Sequence, residues 1–311
     1  MIIYLDQCIL GYLSDKIVSL LEGDEYHYIY SDIHFQEFSH HKDPSLFLNV
    51  LKEINGKYLK LELDERFNYT GNANIYEGDP SVHFQDYKQN LSGLNFDPQF
   101  LNPLILWVNG ANNREAVEQL PSDIQLQFSE LLKKIGLDNE TTSTQTKDLQ
   151  RGYDELSKLF LKEESDIDNT YKALTPYGAA SNSQEENPLA YIWENLIAKE
   201  IKNSMTSEQF YGFEPLPGQE DCKLYYQIIK CCQMLDNIGF YAEKKRRKAD
   251  KLPNVLADSA HIANAICFCH VLVTADKKLA QRASAISQYK NRDLRIIYFD
   301  PVSHIYSPIR E

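Results

Sequence analysis

The sequence predicts an α/β protein of three layers, in which a central parallel sheet is covered by helices and interrupted by a large helical insertion. Two observations predict this fold. Both ends of the chain alternate short apolar stretches with stretches of helical period. Such alternation is typical of a parallel sheet that is buried on both faces. The middle of the chain, in contrast, is dominated by helical periods.

The first 65 residues contain three predicted strands, which are IIYL at 2–5, YHYIY at 26–30 and KYLKLEL at 57–63. Apolar residues at helical spacing predict a helix over 8–22. A second helix begins in SDIHFQEF, where Ser31 or Asp32 is suited to the N-cap position.

The last 60 residues repeat the pattern, with helices predicted over 254–268 and 276–287 and with the strands VLVTA and RIIYF. Residues 66–97 are polar and rich in Asn and Gly, which predicts an irregular loop. Helical periods follow at about 99–111, 123–136, 147–174, 188–204 and 220–240. The predicted organisation is therefore a discontinuous domain, 1–65 plus 245–311, and a segment over 66–244 in which a loop precedes a helical insertion.

Composition restricts the class of protein. The net charge of −13 over 311 residues argues against a broad basic surface for nucleic acid. The chain has no apolar run of about 18 residues and no basic region ahead of its first apolar stretch, so neither a membrane span nor a secretory signal is expected. Six cysteines lie in apolar or helix-like segments, which suits reduced thiols. We therefore predict a cytoplasmic protein.

One local stretch is strongly basic. We call it the basic run, and its members are Lys244, Lys245, Arg246, Arg247, Lys248 and Lys251. A solvated helix end or linker is the simpler interpretation of such a run. Phosphate binding is the alternative, and Lys277 and Lys278 offer further positive charge beside Asp276.

Four acidic residues stand where an α/β sheet places its ligands. Asp6 and Asp276 follow predicted strands, Glu37 lies on the helix after the second strand, and Asp258 falls in the first turn of a predicted helix. Because the ends of parallel strands lie side by side, we expect these carboxylates to meet in one pocket. Grouped carboxylates repel one another unless a cation is present, which favours Mg²⁺ or Mn²⁺.

Simpler roles stay open for each acid. Asp6, Asp258 and Asp276 suit helix N-caps or first turns, and Glu37 suits an exposed helix position. His34, Glu37 and His41 also form a stripe at i, i+3 and i+7 that could bind zinc, although surface and loop roles are favoured for these histidines. His261 follows Asp258 by three residues and suits either a packed core position or a positioning role.

Four short motifs, YLDQCIL, YSDIHFQEF, DSAHIANAI and VLVTADKKLAQRA, resemble in this order the motif blocks of the PIN-domain nucleases. The resemblance covers roughly residues 1–64 and 252–300 and leaves out the middle of the chain. It implies a PIN-like fold in which Asp6, Glu37, Asp258 and Asp276 hold the metal and the Thr274 hydroxyl supports the site. The insertion is a departure from the small members of the family.

The resemblance implies a divalent-metal-dependent endoribonuclease that hydrolyses RNA phosphodiester bonds, with a toxin or defence effector as one cellular role. RNA is then the substrate, the basic run and Lys277 are candidate phosphate contacts, and an inhibitory protein partner and a homodimer are open options. Two alternatives remain: a catalytically silent PIN-like module that binds RNA or protein, and a structure-specific DNA nuclease.

Overall fold

The structure, a computed structural model, describes residues 1–20, 23–65, 69–94, 114–134, 185–214, 222–242 and 252–309, with a few shorter stretches between 144 and 175. The chain forms two compact units. The first comprises Met1–Gln85, Ala173–Glu243 and Asn254–Glu311, and the second Asp86–Lys172 and Lys244–Pro253. Within the described residues, no helix combines the length and the apolar character that a membrane crossing requires.

Among the described residues, seven strands form one sheet. They are β1 (Ile2–Leu5), β2 (His27–Ser31), β3 (Lys57–Leu63), β4 (Tyr69–Tyr76), β5 (Val271–Thr274), β6 (Arg295–Asp300) and β7 (Ile305–Pro308). Their order is β4-β3-β2-β1-β5-β6-β7. The central pairs are parallel, and β4 and β7 each run antiparallel to their neighbour at the two edges. The predicted parallel sheet is thus correct for its centre, and the whole sheet is mixed.

The helices in the first half of the chain are α1 (Gln7–Ser14), α2 (Asp32–Phe38), α3 (Ser45–Glu53), α4 (Pro80–Leu94) and α5 (Arg114–Lys134). Those in the second half are α6 (Pro188–Leu196), α7 (Lys199–Ser204), α8 (Ser207–Phe210), α9 (Leu224–Asn237), α10 (Leu252–Phe268) and α11 (Lys277–Tyr289).

Helices pack on both faces of the sheet because successive strand side chains point to opposite sides. On one face, Tyr4 and Ile29 belong to a buried core with apolar residues of α6, α9, α10 and α11. On the other face, the ring of Tyr30 packs against Phe35 of α2, and Phe38 of α2 stacks on Phe47 of α3 with ring centroids 4.9 Å apart. This arrangement is compatible with three layers.

Several elements differ from the sequence prediction. The stretch 66–97 contains β4 and α4 where an irregular loop was expected, and α1 ends at Ser14 instead of continuing to residue 22. The predicted helix over 188–204 is broken, because Ile197 adopts an extended backbone between α6 and α7. The helices α6 to α9 belong to the same compact unit as the sheet, so the structure divides the chain differently from the predicted boundaries. The predicted helix at 99–111, and most of that at 147–174, lie outside the described residues.

Candidate active site

The carboxyl ends of β1 and β5 define the position of the site. The chain leaves β1 towards β2 and β3 on one side and returns to β5 on the other, so the direction of strand order changes between β1 and β5. In open α/β sheets, ligands bind beyond the strand ends at such a point. Asp6 directly follows β1, and Asp276 comes two residues after the end of β5.

Thr274, the last residue of β5, joins these two acids. Its buried hydroxyl donates to Oδ2 of Asp6 at 2.6 Å and accepts the backbone N–H of Asp276 at 2.9 Å. The thiol of Cys8 donates to the same Asp6 oxygen at 2.9 Å. Burial raises the pKa of the Cys8 thiol well above its usual value, so the thiol keeps the proton that it donates. The Asp6 carboxylate is therefore held from two sides.

Glu37, on α2, reaches the site through His261 of α10. Nε2 of His261 lies 2.9 Å from Oε2 of Glu37 and 3.9 Å from Oδ1 of Asp6. Because an ionised carboxylate can only accept, Nε2 carries the hydrogen of the shorter contact. The His261 ring is fully buried, whereas 23% of the Glu37 side chain is exposed. His261 thus connects Glu37 with Asp6.

Asp258 lies one turn before His261 on α10, against a buried arginine. Its Oδ2 is 3.8 Å from Nη2 of Arg282, a fully buried residue of α11. Nη1 of the same arginine is 3.3 Å from both carboxylate oxygens of Asp236 on α9. The Asp258 side chain is 24% exposed and that of Asp236 only 3%. A buried ion pair therefore places a guanidinium beside Asp258.

The pKa values show that the acids affect one another. Burial raises the pKa of Asp258 to about 8; Arg282 opposes this shift, and the charges of Asp6 and Asp276 add to it. Burial lowers the pKa of His261, but its hydrogen bond to Glu37 and the charges of Glu37, Asp6 and Asp258 outweigh burial, so that its pKa is raised. Asp6, Asp258 and Asp276 therefore belong to one electrostatic cluster, and Glu37 joins it through His261.

The capping alternative is correct for two of the four acids. Asp6 accepts the N–H of Gln7 at the start of α1, and Oδ1 of Asp276 accepts the N–H groups of Lys278 and Leu279 at the start of α11. Asp258 was expected in a first turn, but α10 begins at Leu252, so Asp258 is too far into the helix to cap it. N-capping and membership of the cluster are compatible, because capping uses one oxygen of each carboxylate.

His34 is not available as a zinc ligand in the stripe of His34, Glu37 and His41 on α2. His34 is fully buried, its Nε2 donates to the carbonyl oxygen of Leu5 at 2.7 Å, and its Nδ1 accepts the N–H of Ser31 at 3.0 Å. Burial lowers the pKa of His34 well below its usual value, so the ring is neutral. The expected surface role was wrong for His34 and correct for His41, which is exposed.

The chemistry of the cluster fits a hard divalent cation, whose preferred ligands are carboxylate oxygens. Among the described residues, no group of three or more His, Cys, Asp or Glu side chains is arranged to hold a metal ion as it stands. Asp258 accepts no hydrogen bond from the described part of the chain. Burial is the main cause of its high pKa, and the charges of Asp6 and Asp276 add a repulsion that a cation would relieve. The Mg²⁺ or Mn²⁺ site remains a prediction supported by this donor set.

Only some of the predicted phosphate contacts lie within the described residues. Residues 244–248 and 251 of the basic run lie outside the described residues. Lys277 is exposed at the start of α11, directly after Asp276. Nζ of Lys278 donates to the carbonyl oxygen of Ala242 at 3.1 Å. Lys277 is thus the described member of the predicted set.

Arg282 and its partner Asp236 were missed by sequence reasoning. A signal for Arg282 exists: it stands with Leu279, Ala283 and Ile286 at i, i+3, i+4 and i+7, and these three neighbours are buried. A charge within an apolar stripe needs a partner, which would have justified a search for an acid. Asp236 carries no comparable signal because it lies on a helix outside the motif blocks.

Comparison of the chain with models of protein families, with curated proteins and with solved structures gives no match in any of the three.

Proposed function

We propose that this protein is a divalent-metal-dependent endoribonuclease that hydrolyses RNA phosphodiester bonds. The observation that supports the proposal most is the gathering of Asp6, Glu37, Asp258 and Asp276 into one cluster beyond β1 and β5. The proposal of RNA as substrate, and of a PIN-like fold, depends on the resemblance of the four motifs. The basic run and Lys277 are the proposed contacts to phosphate.

Divalent ions in such hydrolysis activate a water molecule and stabilise the leaving oxygen. The side chains of this chain would hold and orient those ions. Thr274 and Cys8 fix Asp6, His261 fixes Glu37, and the amides at the start of α11 fix Asp276. Arg282 offsets part of the negative charge beside Asp258. No side-chain nucleophile is needed, because water attacks the phosphorus.

The proposal is tested with labelled RNA and DNA of one sequence, each incubated with the protein in Mn²⁺ and in EDTA. RNA cleavage is expected in Mn²⁺ alone, and Asp6→Asn or Asp258→Asn should abolish it while the protein stays folded. Asp300→Asn is the matched control, because Asp300 is the last residue of β6, which runs parallel to β5, but accepts hydrogen bonds from Val302 and Ser303 of its own turn.

The outcomes separate the candidate functions. Near-normal turnover by both variants at saturating Mn²⁺ would remove the catalytic assignment of the cluster. Cleavage of DNA in preference to RNA would favour the structure-specific DNA nuclease. Binding of RNA without cleavage in any divalent ion would favour the silent module.

A further inference from the structure

Glu37 differs from Asp6 and Asp276 in how it is held. Asp6 and Asp276 are fixed by hydrogen bonds from their own helix starts and from Thr274 or the following amides. Glu37 is the sixth residue of α2 and has a longer side chain with more rotatable bonds. Within the described residues its one hydrogen bond is the contact with His261. The direction of the Glu37 carboxylate therefore depends on how the His261 ring is held.

The other ring nitrogen of His261 is held by a buried tyrosine. Nδ1 of His261 lies 2.9 Å from the hydroxyl of Tyr4, in the middle of β1. That hydroxyl is also 2.8 Å from Oγ of Ser31, and Nδ2 of Asn264 donates to both oxygens at 3.3 and 3.2 Å. Tyr4 and His261 are fully buried, and Asn264 and Ser31 nearly so. Burying polar groups is costly unless they are hydrogen-bonded, and a satisfied buried network of this kind makes the core around it rigid.

The hydroxyl of Tyr4 can satisfy the ring in either of its states. Burial raises the pKa of Tyr4 well above its usual value, so the phenol keeps its proton. With a neutral ring, Tyr4 donates to Nδ1; with a charged ring, Nδ1 donates to Tyr4 and Tyr4 donates to Ser31. In both cases Nε2 keeps its hydrogen for Glu37. The ring orientation is thus fixed independently of its charge.

We infer that Tyr4 and His261 are positioning residues, which hold the Glu37 carboxylate in the orientation that the candidate active site requires. The inference deepens the proposed function and rests on it. Partners of this kind, which touch a ligand residue and not the ion, commonly change metal affinity or activity 10- to 100-fold when removed. The described contacts assign that role to a tyrosine of the first strand, which no motif block marks as functional.

The first test measures Mn²⁺ affinity by calorimetry for Tyr4→Phe, Glu37→Gln and the double variant. Tyr4→Phe should weaken Mn²⁺ binding about tenfold in the wild-type background and much less in the Glu37→Gln background, because its effect passes through Glu37. Tyr211→Phe is the matched control: it also removes a fully buried hydroxyl, which donates to Leu189, and should leave Mn²⁺ affinity unchanged.

The second test needs no metal. In protein with ¹⁵N-labelled histidine in EDTA, the His261 ring signal should shift in both Tyr4→Phe and Glu37→Gln. Glu37→Gln should leave the ring signal of His270, whose Nδ1 accepts the N–H of Ile2, in place. His261→Gln, which keeps an N–H near the position of Nε2, should retain more Mn²⁺ affinity than His261→Leu.

Equal losses of Mn²⁺ affinity for Tyr4→Phe in the two backgrounds would overturn the inference, as would a His261 signal that neither variant moves. If wild-type protein takes up no Mn²⁺, the proposed function fails. The ring signals then decide alone whether Tyr4 and His261 hold Glu37.

Discussion

Replacing Asp258 with asparagine is expected to stabilise the metal-free protein at neutral and weakly alkaline pH. The pKa of Asp258 is about 8 in the folded protein, against an ordinary value of 3.8. Between these values the folded protein holds a proton that the unfolded chain has released, so stability falls as pH rises through this window. Asparagine resembles the protonated acid and does not titrate. The variant should therefore keep the stability that the wild type loses.

The size of the effect follows from the same two pKa values. One pH unit within the window costs the wild type about 1.4 kcal/mol. At pH 7, about three units above the ordinary value, the cost is about 4 kcal/mol. Because asparagine resembles the protonated acid that the folded wild type holds at pH 7, we expect a gain of up to about 4 kcal/mol, or about 2 °C in Tm for each kcal/mol.

Melting curves in EDTA at pH 4, 5.5, 7 and 8.5 measure this effect. The difference between variant and wild type should be close to zero at pH 4 and should grow with pH. Asp300→Asn is the control of opposite sign: hydrogen bonds from Val302 and Ser303 lower the pKa of Asp300, so its neutralisation should reduce stability above pH 4. An Asp258→Asn variant that melts below wild type at pH 8.5 would refute the raised pKa of Asp258.

Two further predictions concern charges around the site. Arg282→Met should destabilise the protein by about 3 to 5 kcal/mol, because it leaves Asp236 buried without its guanidinium partner. In urea unfolding, the double variant Arg282→Met, Asp236→Leu should lose much less stability than the single variant. Equal losses in the two variants would contradict the ion pair. Replacing the five residues 244–248 of the basic run with alanine should weaken RNA binding and flatten its salt dependence, by a log-log slope of about 0.7 for each lost phosphate contact. An unchanged slope in RNA titrations would instead favour the solvated linker.

The strands that the sequence predicted best have a clear apolar pattern. β1 and β3 have the predicted bounds, because β1 is wholly apolar and β3 alternates apolar with polar residues. β4 was missed because it is an edge strand with mostly exposed residues, so that Asn and Gly stand where apolar residues would mark a strand. The end of α1 was missed because Lys16 adopts a left-handed backbone, φ 56°, without a glycine to indicate it.

The part of the site that could be predicted consists of residues that follow the ends of parallel strands. Asp6 and Asp276 follow strands, and a parallel sheet brings such positions together whatever their distance along the chain. The contacts of Tyr4, Arg282 and Asp236 were not predictable, because each depends on which helix face packs against which neighbour. In the sequence, Tyr4 reads as one more core residue of β1. Its polar role is visible only in the structure, where its hydroxyl lies beside the ring of His261.

The pairing of β1 with β5 has a consequence for the synthesis of this protein. Ile3 pairs with Val271 and Leu5 with Val273, so β1 has no neighbour on this side until 268 further residues have been synthesised. At about 5 to 20 residues per second, that interval is roughly 15 to 50 s. During it, the apolar edge of β1 is unpaired and prone to aggregation, and Asp6 and Glu37 have no Asp258 or Asp276 to join. The acidic cluster therefore cannot assemble before Asp276 has been synthesised.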